Sequence, residues 1–148
     1  MRTSCGIALL CLIAQASLVG CAHVRAPSGP TAAQGPREIP QARVHFSTGS
    51  SSIRPGAAAD VLRNALWLEA NPTARVVLEG HCDERGAFDD NMKLGDARAR
   101  AVKAALVESG VKDGGRIVVI SMGEGRPVDS GHDEAAWRRN RRVEFILQ

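Results

Sequence analysis

The chain has no tyrosine, and only two tryptophans and three phenylalanines among its 148 residues. A core of any size must therefore be built from alanine, valine, leucine and isoleucine. A surplus of one charge is missing too. Nineteen lysines and arginines against sixteen aspartates and glutamates leave a formal +3, with both signs interspersed. Even with the basic cluster RRNRR at 138–142, that balance gives no electrostatic argument for a nucleic-acid partner. There is no Walker loop and no G-x-S-x-G element, so phosphate-cradling and serine-elbow chemistry lack their signatures. Of the four cysteines, Cys5, Cys11 and Cys21 fall in the first 21 residues, which leaves Cys82 with no intrachain disulfide partner in a folded region. The length favours one domain plus appendages.

The appendages come first. Arg2 and the apolar run Ile7–Ala14 form a segment too short to span a bilayer, with the flanks of a cleavable signal. Its end, LVGC at Leu18–Cys21, resembles the lipobox of bacterial lipoproteins. That resemblance implies removal of residues 1–20 and a mature chain starting at Cys21, which carries S-diacylglycerol and an N-acyl group. Several acyl chains on one residue anchor a protein to a membrane without spanning it. Ala22 follows, where an aspartate would suggest retention in the inner membrane, so the resemblance implies the outer membrane. Residues 21–42 hold four prolines and almost no large apolar group, and read as a tether. As a coil its ends lie about 25 Å apart. It is a spacer.

From Arg43 the patterning becomes that of a domain, 43–148. RVHF at 43–46 reads as a strand, and STGSSS at 47–52 as a loop rich in backbone amides. Pro55 suits the first turn of a helix whose buried stripe reads Ala58, Val61, Leu62 and Ala65. Asn71-Pro72 stops it. RVVLEG at 75–80 is a β-branched run and predicts a second strand. A second helix is expected from Asp89 as N-cap, with a stripe of Leu94, Ala97, Ala101, Val102, Ala105 and Leu106, ending at Gly110. RIVVIS at 116–121 predicts a third strand, EAAWRRN at 134–140 a short helix, and RVEFIL at 142–147 a last strand. The order β-α-β-α-β-(α)-β predicts a two-layer α/β (α+β) sandwich. Its first three strands are expected to be parallel or nearly so to their neighbours, and its last can be antiparallel.

The chemistry concentrates in LEGHCDERG, Leu78–Gly86. His81 and Cys82, with His132 downstream, invite a metal-dependent or thiol enzyme. Residues adjacent on a strand point to opposite faces, however, and zinc spacings such as C-x2-C are absent. Adjacency also does not build the hydrogen-bonded pair that activates a thiol. The charges offer another reading. Asp83 lies just past a strand end, and Arg98 lies one position from the stripe of the following helix. A carboxylate and a guanidinium facing one cleft suit a zwitterion, with the ligand ammonium on Asp83 and its carboxylate bidentate on Arg98. An intramolecular Asp–Arg bridge fits the same spacing.

GHCDERG, the helix segment RARAV, and GHDEAAW…NRRV together strongly resemble the OmpA-like peptidoglycan-binding domain over roughly Val44–Leu147. The lipobox and tether fit its lipid-anchored members. The resemblance implies a non-enzymatic pocket, without cofactor or metal, for the diaminopimelate side chain of the peptidoglycan stem peptide. It implies that Asp83 takes the ammonium, Arg98 a carboxylate, and that Asn91, Thr48, Gly49 and Arg141 contribute, with Ser47–Ser50 offering backbone contacts. Of Arg141 and Arg142, one is expected to be structural and the other to border the pocket. The implied partners are peptidoglycan, the outer membrane, and TolB with other Tol proteins; the alternative within the family is an OmpA-like lipoprotein without a Tol partner. Two departures stand out: Gly49 replaces a family aspartate and leaves backbone N–H groups, and Asp90 replaces an aromatic, adding negative charge near the pocket mouth.

Cys21→Ser is expected to leave an unprocessed, unacylated precursor by mass spectrometry. An unchanged mature mass contradicts the lipobox and favours an ordinary signal cleaved near Ala22.

Overall fold

Elements form in the order the patterning predicts. The computed structural model describes residues 38–148; the signal segment, Cys21 and tether residues 21–37 lie outside the described residues. The elements are β1 (Arg43–His45), α1 (Pro55–Ala70), β2 (Val76–His81), α2 (Phe88–Glu108), β3 (Ile117–Gly123), α3 (Glu134–Asn140) and β4 (Arg142–Leu147). A 3-10 turn at Gly114–Arg116 leads into β3. Among the described residues, no helix is long and apolar enough to cross a membrane.

One mixed sheet carries the fold, with strand order β1-β4-β2-β3. β2 and β3, joined through α2, pair in parallel, while β4 is antiparallel to both β1 and β2. β1 therefore runs in the direction of β2 but is not its neighbour, because the last strand inserts between them. Alternation decides the faces. Val44, Val76, Leu78, Ile117, Val143 and Phe145 are buried in one core with Val61, Leu68, Val102 and Leu106 of α1 and α2. Val118 and Ile120, the intervening positions of β3, are half exposed on the other face. The core is aliphatic, as the scarcity of aromatics requires, with Phe46, Trp67 and Phe145 as its buried aromatic members.

Both helix stripes differ in phase from the reading of small apolar residues. α1 buries Ala57, Val61, Asn64, Ala65, Trp67 and Leu68, while Ala58 and Leu62 face solvent. The buried Asn64 explains the shift: its side chain donates to the Gln41 carbonyl at 2.8 Å and accepts from the Gln41 N–H at 3.0 Å. Ile39 is also in the core. Packing thus reaches back to Ile39, four residues before β1, although the tether was expected to run to residue 42. α2 starts at Phe88 with Ala87 at its N-cap position, so Asp89 sits in the first turn instead of capping it. Its buried positions are Asn91, Gly95, Arg98, Ala99, Val102 and Leu106. Ala97 is exposed. An arginine and an asparagine occupy the inward stripe because the fold supplies partners for them.

Two glycines bring α2 onto β2. A Cβ on Gly80 would stand 1.9 Å from the Gly95 carbonyl oxygen, and one on Gly95 would meet Ser121 Oγ at 2.4 Å. This approach needs both residues to be glycine. Past Gly80 the β2–β3 register slips, with Gly80 opposite Ser121 and His81 opposite Gly123, an irregularity of the kind that bends a strand end. Gly80→Ala is expected to destabilise the domain by about 3 kcal/mol, because backbone must move to admit the methyl. The denaturant midpoint measures this, and a midpoint within error of wild type contradicts the close approach.

Candidate functional site

The carboxyl end of β2, the loop after β1 and the start of α2 meet around a cavity of about 130 Å³. Thr48, Gly49, Asp83, Asn91 and Arg98 line it, with Cys82, Arg85 and Leu94. Five residues expected at one site from separate stretches of sequence are thus brought together. Arg141 does not line the cavity but reaches it through Asp83, with Nη1 donating to Oδ2 at 3.0 Å.

Arg98 is fully buried. Its Nε donates to the Ser50 carbonyl at 2.9 Å, Nη2 to Ser47 O at 3.0 Å, and Nη1 to His81 O at 2.7 Å and Cys82 Sγ at 3.4 Å. A guanidinium has five N–H donors, so these four bonds leave one on Nη2. Without a ligand the fork is thus engaged on three backbone carbonyls and the Cys82 sulfur, where a ligand carboxylate was expected to be bidentate. A single N–H remains for a ligand, beside the Thr48 hydroxyl and the backbone of Gly49, whose φ of 63° lies in the left-handed region. Among the described residues, none of the Arg98 bonds goes to a carboxylate, so its charge stays available to an anion in the cavity.

Asp83 is 6% exposed and engaged on both oxygens. Arg85 donates to Oδ2 from Nη2 at 2.8 Å and to Oδ1 from Nε at 3.1 Å and from its backbone N–H at 3.2 Å. Burial alone would raise the Asp83 carboxyl, but hydrogen bonds from Arg85 and Arg141 outweigh it and hold the group below the usual carboxylate range. Asn91 Nδ2 donates to the carbonyls of Asp83 and Arg85 at 3.2 Å and to Glu124 Oε2 at 2.5 Å, which fixes the turn that presents Asp83. Asp90 lies outside this arrangement, exposed and 3.6 Å from Lys93, so it does not line the pocket.

The N-R-R element divides its work. Asn140 folds the 128–129 turn, accepting from Val128 N and Asp129 N and donating to Asp129 O. Arg142 is structural, with Nε on Glu144 Oε1 at 2.7 Å and the rest of its fork on Asn140 O and Arg126 O. Arg141 is the pocket-bordering member.

Cys82 and His132 line a second cavity of about 230 Å³, but among the described residues the hydrogen bonds of the thiol and of the His132 ring go elsewhere than to each other. Burial pushes the Cys82 thiol up, against the charge of Arg98, and its Sγ donates to Asn91 O at 3.2 Å. His132 is exposed and pairs with Glu84 at 2.8 Å. His81 instead faces Glu79, its Nε2 lying 3.8 Å from Oε2. Glu79, His81 and Glu144 place possible ligand atoms within 4.8 Å of one another. Arg43 and Arg142 both donate to Glu144 Oε1, so positive charge already occupies this corner.

Arg85, Glu124 and Trp137 were not singled out from sequence. The signal for Arg85 was its place two residues after Asp83, where a tight turn lets a side chain bond back.

The matching family model is the OmpA family, over residues 45–141. The chain is 35% identical to a peptidoglycan-associated lipoprotein of Mesorhizobium japonicum, over 94% of this chain and 90% of that one. It is 46% identical to one from Pseudomonas putida over 68% of this chain, and spans 60% of that relative's length. The crystal structure of the peptidoglycan-associated lipoprotein from Burkholderia pseudomallei superposes with a TM-score of 0.70 at 36% identity, covering 73% of this chain and 91% of that one.

Burial, followed by the charge of Arg142, lowers the pKa of His81 from 6.5 to about 4. The unfolded chain then takes up the proton first, so stability is full above about pH 6.5 and falls as pH drops toward 4, by on the order of 2–3 kcal/mol. His45 shifts in the same direction. Denaturant unfolding at pH 7 and pH 5 is expected to show this loss in wild type and most of it removed in His81→Asn. An equal loss in both contradicts the assignment to His81.

Proposed function

The chain belongs to the OmpA family, and from that premise we propose that it is a lipoprotein that binds peptidoglycan non-covalently through a pocket for the diaminopimelate side chain. The observation that carries the reading is the buried Arg98 guanidinium, which bonds to no carboxylate among the described residues and lines one cavity with the Asp83 carboxylate. A small zwitterion matches both walls. Its carboxylate meets the free Nη2 hydrogen, the Thr48 hydroxyl and the backbone at Gly49; its ammonium meets Asp83. Around such a ligand, Asn91 holds the Asp83 turn and Arg141 keeps Asp83 charged. The reaction is binding only. Relatives named peptidoglycan-associated lipoproteins support this over a thiol or metal enzyme, as does a Cys82 thiol kept neutral by burial.

Two further parts of the reading rest on the resemblance and the N-terminal sequence. Acyl chains at Cys21 would hold the protein on the outer membrane facing the periplasm, and the tether preceding Ile39 would let the domain reach the wall. TolB and other Tol proteins are the proposed protein partners, in the Tol–Pal system of envelope integrity and division.

Full-length protein is expected to sediment with purified peptidoglycan and to be released by free diaminopimelate. Asp83→Ala and Arg98→Ala are each expected to weaken retention by at least about tenfold, since each removes one of the two charges assigned to the ligand. Retention by both variants overturns the pocket. Cross-linking to TolB in cell envelopes tests the Tol assignment separately.

A further inference from the structure

The proposed ligand's cation seat already holds a cation. Among the described residues, four hydrogen bonds reach the Asp83 carboxylate: two from the Arg85 guanidinium, one from the Arg85 backbone N–H and one from Arg141. No oxygen is left for a ligand ammonium while both remain.

The two arginines are not equivalent. Arg141 has a side chain 5% exposed, and it also donates to Phe46 O at 3.3 Å and to Glu134 Oε1 at 2.6 Å. It is fixed from three sides. The side chain of Arg85 is 39% exposed. Beyond Asp83 its supports are loose: 3.5 Å to Thr48 Oγ1, 3.8 Å to Glu134 Oε2, and the Trp137 ring, with Cζ 4.0 Å from the centroid. Trp137 is itself held by its Nε1–H to Glu84 Oε1 at 3.0 Å. The indole is therefore a platform on which a guanidinium rests at the pocket rim.

We propose that Arg85 is an internal competitor, occupying the ammonium seat at Asp83 in the free protein and displaced by the cationic end of the ligand. The inference rests on the diaminopimelate reading of the pocket and goes beyond it. Exchange of one cation for another keeps Asp83 compensated throughout, and Arg141 never leaves it. The cost of displacing Arg85 is subtracted from the binding of every ligand. An anion without an ammonium cannot displace it at all, which makes Arg85 a specificity-determining residue. Because Arg85 lies on Trp137, displacement must also change the surroundings of that indole.

The test is titration of full-length protein with free meso-diaminopimelate, read by calorimetry and by tryptophan emission. Wild type is expected to bind with a change in emission. Arg85→Gln is expected to bind about two- to fivefold tighter, the gain from removing a half-exposed charged competitor, with little emission change. Arg85→Lys, which keeps a cation, is expected to lie between them. Arg85 is a rim residue, and unchanged thermal unfolding of Arg85→Gln checks that the domain is intact. Equal or weaker binding by an intact Arg85→Gln, with Asp83→Asn abolishing binding, overturns the competitor and leaves the pocket standing. Wild-type binding that survives Asp83→Asn overturns the pocket itself.

Discussion

The site depends on one buried cation. Arg98 projects from the inward stripe of α2 into the space between the loop after β1 and the end of β2, and bonds to carbonyls on both. A charge taken out of water must be compensated, and here backbone dipoles do it: Ser47, Ser50 and His81 each turn a carbonyl toward the guanidinium. The loop after β1 has few apolar groups of its own to pack. Its shape follows from Arg98, and so does the position of Thr48 and Gly49 at the cavity wall. Phe46 completes the enclosure, with its ring centroid 5.4 Å from the guanidinium carbon.

Around this cation the remaining charges are ordered by exposure. Asp83 and Arg141 form a nearly buried pair, 3.0 Å apart and 7% and 5% exposed in their side chains. Buried pairs tolerate the loss of a partner badly. Glu134, at the first turn of α3, extends the pair outward at 2.6 Å from Arg141. The gradient runs from a fixed interior to an exchangeable rim, where Arg85 and Glu134 meet solvent. Ligand exchange belongs at that rim because only there do broken bonds find water.

Regular structure was legible where one local signal sufficed. Pro55 marked the start of α1, β-branched runs marked β2 and β3, and the alternation of Val143, Phe145 and Leu147 identified the inward face of β4. The insertion of β4 between β1 and β2 was not, since strand order follows from long-range pairing. The helix phases failed for a chemical reason. Asn64 and Arg98 look like surface residues until the Gln41 backbone and the carbonyls of the 47–50 loop are there to receive them. At the site, Asp83, Asn91 and Arg98 carried a motif, but Arg85 carried no signal of its rim contact, which depends on Trp137, far away in sequence.

The clamp in turn requires the glycine contact. Arg98 can meet the His81 carbonyl at 2.7 Å only if α2 lies close to β2, and the helix lies close because neither Gly80 nor Gly95 carries a Cβ. Ser121 Oγ, on the neighbouring strand, donates to the Met92 carbonyl at 2.7 Å one turn earlier in α2, holding the helix start to β3 as well. The register slip after Gly80 then carries His81 and Cys82 around the strand end, with Cys82 N–H bonded to Gly123 O at 2.8 Å. Asp83 emerges directly from that turn. The residues that look reactive in GHCDERG are therefore spent on geometry: His81 contributes its carbonyl to Arg98, and Cys82 a thiol that packs between Arg98 and Asn91. The glycine before them sets how near the helix comes, and the aspartate after them is what that proximity places at the cavity.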